Sequence, residues 1–312
     1  MTLRQTVPLT TPCAQRRRFN VLWITPALLM AAMVLSWSSG FIGYRYVAEQ
    51  GGVFLATFWR FVLAALVLLP FVIGDLRRLA WGDGMRQALT GLFAIAGYIA
   101  PIAKAIECGV APGMTALIAN LLPLMIVLMT AIYPGQRTRG WQWCGLSTCV
   151  LGMIIASDTG FELGTAARWA YSLPLTGVLS LAAATHYQKQ RPSKMPPLLG
   201  LFIQVCASLP VFALLASYEG SLRPIATLGF GAGVVWLVVL STLGGYGFYW
   251  LCLQRFSLQR ISSALFLTPP VTMLWAHVQF GDALTSFSMA GMGLTLIGLW
   301  VFNRRVHPRH AT

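Results

Sequence analysis

Long apolar runs recur along the whole chain, and they constrain the fold more than any other feature of the sequence. A helix needs roughly 20 apolar residues to cross a hydrocarbon core of about 30 Å. Only 10% of the 312 residues are charged, whereas a soluble domain has roughly 25%. The sequence therefore predicts an all-α integral membrane protein with ten transmembrane helices. The runs lie at 21–43, 53–73, 88–107, 111–133, 141–157, 168–188, 197–217, 232–252, 261–280 and 284–302.

The basic residues are unevenly shared between the loops on the two sides of these helices. With the N-terminus in the cytoplasm, 17 of the 22 Lys and Arg residues fall in inner segments, and only Arg45, Arg168 and Arg223 fall in outer ones. Cytoplasmic loops of membrane proteins carry such an excess. One missed span would reverse every later loop, so the charges support ten helices with both termini in the cytoplasm. They also account for the net charge of +14, and we expect no binding to nucleic acid.

A weak internal repeat divides the ten helices into two halves of five. Residues 116–156 and 263–302 share an apolar run with an early proline, a polar turn, and a second apolar run with spaced glycines. Because five is odd, the second half is predicted to be inverted in the membrane. Inverted repeats are common in secondary transporters, which hold substrate between the repeats near the midplane. The matches are Pro123 with Pro270 at a shift of 147, and Gly145 with Gly291 and Gly152 with Gly298 at a shift of 146.

The division into repeats predicts four segments. A polar, basic N-terminal tail at 1–20 and a basic C-terminal tail at 304–312 lie in the cytoplasm. Between them lie the first repeat at 21–157 and the second at 158–303. The first apolar run is too long for the core of a signal peptide and has no clear cleavage site, so we expect it to be retained as a span.

Several short motifs follow one another along the spans. They are Trp37-Ser38-Ser39-Gly40, Trp59-Arg60-Phe61, Ala116 to Pro123, Gly135-Gln136-Arg137, Leu267-Thr268-Pro269-Pro270 and the glycine-rich last helix. Their order resembles that of the drug/metabolite transporter superfamily, in its branch of EamA-type ten-helix permeases. The resemblance covers about residues 21 to 303 and implies a small-molecule permease. The chain departs from the family pattern in the turns after spans four and nine, where Gly135-Gln136 and Gly281-Asp282 replace the frequent Gly-Glu.

Two basic side chains lie within spans. Arg60 is about two turns from the outer end of span two, where a charge marks function by default. It either clamps helices together, with Glu49 or Glu107 as candidate partners, or contacts the substrate; the clamp is the favoured interpretation. Lys104 lies one turn from the outer end of span three. Its ammonium either reaches the interface or attracts a carboxylate or phosphate at the outer mouth of a cavity.

Polar and aromatic side chains within the spans are the candidates for a substrate cavity. Aromatic rings can stack on a flat or cationic ligand, although single rings also pack without a ligand in helix bundles. The hypothesis for the site is a central cavity lined by Trp37, Tyr98, Asn120, His186, Tyr246 and Tyr249, with Lys104 at the outer mouth.

Prolines and histidines mark the two matching stretches. Proline removes a backbone donor and kinks a helix, so Pro123, Pro269 and Pro270 are predicted to form kinks along the transport path, against the alternative of kinks that only pack. His186 and His277 are candidates for proton coupling because histidine titrates near neutral pH. The alternative, which we favour for each, is a hydrogen bond to a neighbouring helix.

Missing residue types restrict the chemistry. All eight acidic residues lie in loops or at span ends, which argues against a carboxylate proton relay. The six cysteines form no metal-ligand pattern, so no metal or cofactor is expected. The sequence shows no cluster of a nucleophile and a base that would indicate an enzyme.

We therefore expect a permease of a bacterial inner membrane that moves a small amino-acid-like or drug-like metabolite, outward, by alternating access. The alternatives are a membrane enzyme acting on a lipid or isoprenoid, or a non-transporting subunit. The expected partners are a small-molecule substrate and the lipid bilayer. For the oligomeric state, monomer and homodimer are both left open.

Overall fold

The computed structural model describes most of the predicted spans. The described residues are 25–48, 50, 52–77, 79–108, 110, 115, 118–119, 121–132, 140–156, 167–193, 195–281 and 285–303. Within these ranges the chain is helical and contains no β-strand, which agrees with the all-α prediction.

The described residues of the N-terminal part include six bounded α-helices and one π-helical segment. Continuous runs of apolar residues favour helices because every backbone polar group is then satisfied within its own segment. The elements are α1 (Pro26–Ala48), α2 (Val53–Leu76), α3 (Trp81–Gly91), the π-helical segment π1 (Leu92–Ala96), α4 (Gly97–Glu107), α5 (Leu122–Ile132) and α6 (Gly140–Ala156).

The described residues of the C-terminal part include seven α-helices and a longer π-helical segment. A single 3₁₀ turn, Arg168–Tyr171, leads into the first of them. The elements are α7 (Ser172–Gln190), α8 (Pro197–Tyr218), α9 (Leu228–Trp236), the π-helical segment π2 (Leu237–Tyr246), α10 (Gly247–Arg255), α11 (Leu258–Leu265), α12 (Thr268–Phe280) and α13 (Ser286–Asn303).

Within the described residues, five segments are long and apolar enough to cross a membrane, judged by length and composition. Two of these run continuously through a π-helical segment. A shorter apolar helix, Met289–Phe302, lies within α13. The chain is therefore a multi-pass membrane protein. The five segments are Pro26–Tyr44, Val53–Leu76, Trp81–Ala105, Pro197–Tyr218 and Leu228–Arg255.

The region expected to form span nine is divided rather than kinked. α11 ends at Leu265, and α12 begins at Thr268, so Pro269 and Pro270 lie in the first turn of a new helix. Proline is tolerated there because the first backbone N–H groups of a helix have no intrahelical acceptor. The kink predicted within a continuous span is thus corrected to a break that precedes the two prolines.

The largest hydrophobic cluster is formed by helices from both parts of the chain. α1 packs along π2, α2 along α8, and α4 along α7. Phe61 of α2 and Phe212 of α8 are fully buried, with ring centroids 5.4 Å apart. Helices that are far apart in the sequence therefore share one hydrophobic core.

α6 and α13 cross with unusually close backbones. A methyl group added at Gly145 would lie 2.8 Å from the carbonyl oxygen of Gly298, and one added at Gly152 would lie 2.7 Å from that of Gly291. Small residues at a helix crossing allow this approach within a membrane. These are the four glycines that the sequence repeat pairs, and they meet at a single helix crossing.

Candidate functional site

Four aromatic side chains predicted to line a cavity lie together in the structure. Trp37 of α1 is central: its ring centroid is 5.1 Å from that of Tyr249, 5.5 Å from that of Tyr246 and 6.3 Å from that of Tyr98. All three contacts are tilted, a geometry that aromatic quadrupoles favour over direct stacking. We call Trp37, Tyr98, Tyr246 and Tyr249 the aromatic cluster. It joins α1 and α4 to π2 and α10.

Hydrogen bonds fix the tyrosines of the aromatic cluster. The hydroxyl of Tyr246 donates to the carbonyl oxygen of Ala94 over 3.2 Å. Ala94 belongs to π1, so the bond connects the two π-helical segments. The hydroxyls of Tyr249 and Thr185 are 2.5 Å apart. Sequence reasoning missed Thr185, whose only signal is a hydroxyl beside the predicted site residue His186.

Arg60 occupies a cradle of hydroxyl groups. Its side chain is only 1% exposed, and its Nε, Nη1 and Nη2 atoms donate to Thr242, Tyr44 and Ser241 over 2.6, 3.1 and 3.0 Å. Burying a charge is costly unless its hydrogen bonds are made. The geometry fits the clamp interpretation, since one guanidinium joins α2 to α1 and π2. Of the predicted acidic partners, Glu49 and the side chain of Glu107 lie outside the described part.

The motif at the centre of α1 contacts three other helices. Ser38 donates from Oγ to the carbonyl oxygen of Thr268 over 3.3 Å, beside the break between α11 and α12. Trp236 of α9 donates from Nε1 to the carbonyl oxygen of Ser39 over 3.0 Å. Gly40 faces Ser241 so closely that an added methyl group would lie 2.8 Å from its Oγ atom.

The remaining predicted site residues are two at exposed positions, one that is partly buried, and two that lie wholly or partly outside the described part. Lys104 is exposed on α4, and His277 is exposed in the last turn of α12. His186 is partly buried, and its Nε2 atom lies 2.6 Å from Gln190 Nε2 along the same helix. Asn120 is not among the described residues. Pro123 is the second residue of α5, and its side chain is likewise not described.

The described residues contain no group of three or more His, Cys, Asp or Glu side chains able to hold a metal ion. The polar atoms of the site are hydroxyls, an indole nitrogen and one guanidinium. Such an arrangement can bind a ligand through hydrogen bonds, stacking and charge.

Comparisons with known proteins give a consistent result. An uncharacterized transporter of Archaeoglobus fulgidus is 24% identical over 281 residues, which cover 89% of this chain and 98% of the relative. A probable amino-acid metabolite efflux pump of Salmonella typhimurium is 23% identical, covering 88% and 93%. A probable terminal-alkyne amino-acid exporter of Streptantibioticus cattleyicolor is 26% identical, covering 88% and 92%.

A solved crystal structure has the same fold. It superposes with a TM-score of 0.73 at 19% identity and covers 88% of this chain and 95% of its own. The model of the EamA-like transporter family matches twice, at residues 24–157 and 168–304. These matches include most of the chain together with the aromatic cluster and Arg60. The chain therefore belongs to the EamA-like transporter family, of the drug/metabolite transporter superfamily, and is a membrane permease for small metabolites.

Proposed function

We propose that the protein exports a small amino-acid-like metabolite by alternating access between two inverted halves of five helices each. The observation that carries the proposal is the aromatic cluster, in which Trp37 of one matched range contacts Tyr246 and Tyr249 of the other. Substrates of inverted-repeat transporters bind between the repeats. Amino acids appear in the names of the Salmonella and Streptantibioticus relatives.

The pattern of helix packing supports two inverted halves. If the halves are related by an in-plane two-fold axis, every contact between them must have a counterpart. The packing of α1 on π2 in one direction corresponds to the packing of α7 on α4 in the other. In the same way, the packing of α5 on α7 corresponds to the packing of α12 on α1. Two further pairs, α2 with α8 and α6 with α13, each consist of corresponding helices, so the two-fold axis maps each pair onto itself. A shift of 147 also carries π1 into the range of π2.

Within this proposal, the substrate lies against the aromatic cluster. Trp37 and the three tyrosines provide faces for stacking and hydroxyl groups for hydrogen bonds. Asn120 and His186 complete the wall of the cavity, and Lys104 lies at its outer mouth. Pro123, Pro269 and Pro270 border the path, and His186 and His277 are the sites for any proton coupling. Arg60 is a structural charge that holds α1, α2 and π2 together.

The orientation proposed here has both termini in the cytoplasm and the protein in a bacterial inner membrane. The positive charges on the predicted inner loops support this orientation. Proteins of this topology expose their substrate site to each side in turn, and the protein functions without a cofactor.

Metabolite profiling of the growth medium is the direct test of export. Cells that overproduce the protein are expected to enrich an amino-acid-like compound in the medium, and cells that lack it are expected to retain that compound. The matched control is overproduction of the Trp37→Ala variant at equal membrane abundance. Identical media from all three strains would contradict the proposal.

The alternative function is an enzyme acting on a lipid or isoprenoid, and one experiment separates it from export. Purified protein in liposomes is supplied with labelled amino acids and with labelled lipid. Movement of an amino acid without chemical change supports the permease. Turnover of the lipid with no amino-acid movement would favour the enzyme.

A further inference from the structure

The helices α2 and α8 each cross the other proposed half of the molecule beside the aromatic cluster, and the two crossings can be compared. α2 begins at Val53 and α8 at Pro197, so a shift of 144 residues aligns their first residues. With this shift, all eight buried positions of α8 coincide with buried positions of α2. Arg60 then corresponds to Gln204, and each is 1% exposed. These two residues mark equivalent points on the two helices.

The crossing at Gln204 is closed by backbone contact. Gly91, the last residue of α3, lies so close that an added methyl group would be 2.6 Å from the carbonyl oxygen of Gln204. Gln204 Nε2 donates to Gln87 Oε1 over 2.7 Å, and Ser208 Oγ donates to the carbonyl oxygen of Gly91 over 3.2 Å. The side chains of Gln87, Gln204 and Ser208 are all buried. α3 and α8 are thus in direct contact at this point.

The equivalent crossing at Arg60 is held by side chains. Its guanidinium donates to Ser241 and Thr242 of π2. The repeat shift of 147 places Val238 at the position of Gly91, so no glycine allows the same backbone approach there. Hydrogen bonds to a charged group are roughly twice as strong as neutral ones. The side-chain bonds at the α3–α8 crossing are neutral, so they cost less to break than those of Arg60.

Both crossings are connected to the aromatic cluster through the π-helical segments. Gly91 is followed directly by π1, in which Ala94 accepts the hydrogen bond from Tyr246. Thr242, which accepts from Arg60, lies in π2 four residues before Tyr246. π-helical turns within α-helices are frequent at functional sites. A movement of α3 relative to α8 would therefore be transmitted to the aromatic cluster through π1.

We propose that the crossing of α3 and α8 at Gly91 and Gln204 is the inner gate of the permease, closed in this structure and opened to admit substrate from the cytoplasm. This inference rests on the alternating access of the proposed function, and it names the contact that separates on one side. α3 and α8 both begin at the predicted cytoplasmic side. In transporters built from inverted repeats, one repeat moves against the other around the substrate site. The backbone contact closes the cytoplasmic route to the aromatic cluster as long as it is made.

Two variants weaken the closed gate in different ways. Gly91→Ala places a methyl group against the backbone of Gln204, so α3 and α8 can no longer meet. Gln87→Leu leaves the backbone contact possible and removes the acceptor for the Gln204 amide. The matched control is Gly74→Ala, because Gly74 lies near the predicted cytoplasmic end of α2 and an added methyl group there meets nothing within 4 Å.

The distance between the starts of α3 and α8 is measured by pulsed electron resonance on the full-length protein in liposomes. Spin labels are attached through p-acetylphenylalanine in place of Met85 and Leu198, which are 45% and 39% exposed. In the wild type we expect a main short distance and a longer one populated at about 10% or less. Gln87→Leu should raise the longer population about five-fold, as for the loss of one hydrogen bond. Gly91→Ala should make the longer distance the main one, and Gly74→Ala should leave the distribution unchanged.

The outcomes separate a gate from a static crossing. A second, longer distance that grows in either gate variant, and not in Gly74→Ala, supports the inference. Wild-type distances in both variants, or only a small shift of a single distance, would show static packing and overturn it. If Gly91→Ala does not fold, the distribution for Gln87→Leu decides alone.

The distance measurement is also independent of the test of export. If the longer distance grows as expected in a protein that moves no amino acid, export fails and the gate stands. If amino acids are moved while both gate variants keep the wild-type distances, export stands and the gate is refuted.

Discussion

Arg60 shows how a single residue in an apolar run can be recognised from sequence while its role depends on distant partners. A charge within a span is costly, so its importance follows from composition alone. Its partners Ser241 and Thr242 are more than 180 residues away in sequence. Short polar residues of this kind are frequent in membrane helices, so nothing in the sequence distinguishes the two that receive the guanidinium.

Replacing Arg60 with lysine is expected to destabilise the protein although the charge is kept. Lysine lacks the planar fork that reaches three acceptors at once, and each lost bond to a charged group contributes about 1.5–3 kcal/mol. Thermal unfolding in detergent should therefore begin at a clearly lower temperature, and transport should fall about ten-fold. Arg86→Lys is the control because Arg86 forms an exposed ion pair with Asp83. Equal unfolding curves for both variants would refute the clamp.

Removing the central ring of the aromatic cluster is expected to abolish most transport. Trp37 contacts Tyr98, Tyr246 and Tyr249, so Trp37→Ala opens a gap where the substrate is proposed to bind. Initial uptake into liposomes should fall at least ten-fold, which corresponds to a loss of about 1.4 kcal/mol of free energy. The exposed Trp81 gives the control, as Trp81→Ala. Normal uptake by Trp37→Ala at normal abundance would exclude the aromatic cluster from the path.

At the scale of elements, the structure differs from the sequence prediction mainly where helices are irregular. Span nine is divided between Leu265 and Thr268, and spans three and eight contain the π-helical segments. π-helical turns within α-helices are frequent at functional sites. In this protein they place Ala94 O and Tyr246 OH within hydrogen-bonding distance. Hydropathy detects an apolar run but not its helical pitch, so these features could not be predicted.

The crossing of α6 and α13 gives a stability prediction with an internal control. An added methyl group at Gly145 would lie 2.5 Å from the backbone nitrogen of Phe302, and one at Gly298 2.6 Å from that of Cys149. Gly145→Ala and Gly298→Ala should therefore each destabilise by about 1–3 kcal/mol through overpacking. Gly293→Ala, on the same helix, meets nothing within 4 Å and should be neutral or stabilising. Thermal unfolding in detergent measures the difference, and equal effects at all three positions would contradict the close crossing.

At the scale of the whole molecule, the charge distribution predicts how the protein is oriented across the membrane, and helix packing alone does not reveal this orientation. A helix bundle has the same internal contacts whichever way it faces, and the orientation follows from the basic loops during insertion. The 17 basic residues assigned to inner segments thus supply the information on orientation that the helix packing lacks.

Fluorescent and enzymatic reporters fused after Thr312 test the orientation. A green fluorescent reporter, which folds in the cytoplasm, should be bright, and a phosphatase reporter, which is active in the periplasm, should be inactive. The same two reporters fused after Gly220, in a predicted outer loop, provide the opposite control. Phosphatase activity at the C-terminus would place that end in the periplasm and would contradict an even number of spans.

The sequence by itself determined that this chain is a helical membrane protein, because a low charge content and runs of about 20 apolar residues leave few other structures. It also placed Trp37, Tyr98, Tyr246 and Tyr249 among the six residues of one candidate cavity, and it paired the glycines of α6 and α13. Only the tertiary structure decided that Thr185 bonds Tyr249 of the aromatic cluster, that hydroxyls surround Arg60, and that a break precedes Pro269. The physical reason is that hydrophobic partition depends on composition along the chain, whereas each hydrogen bond depends on which distant helix lies opposite.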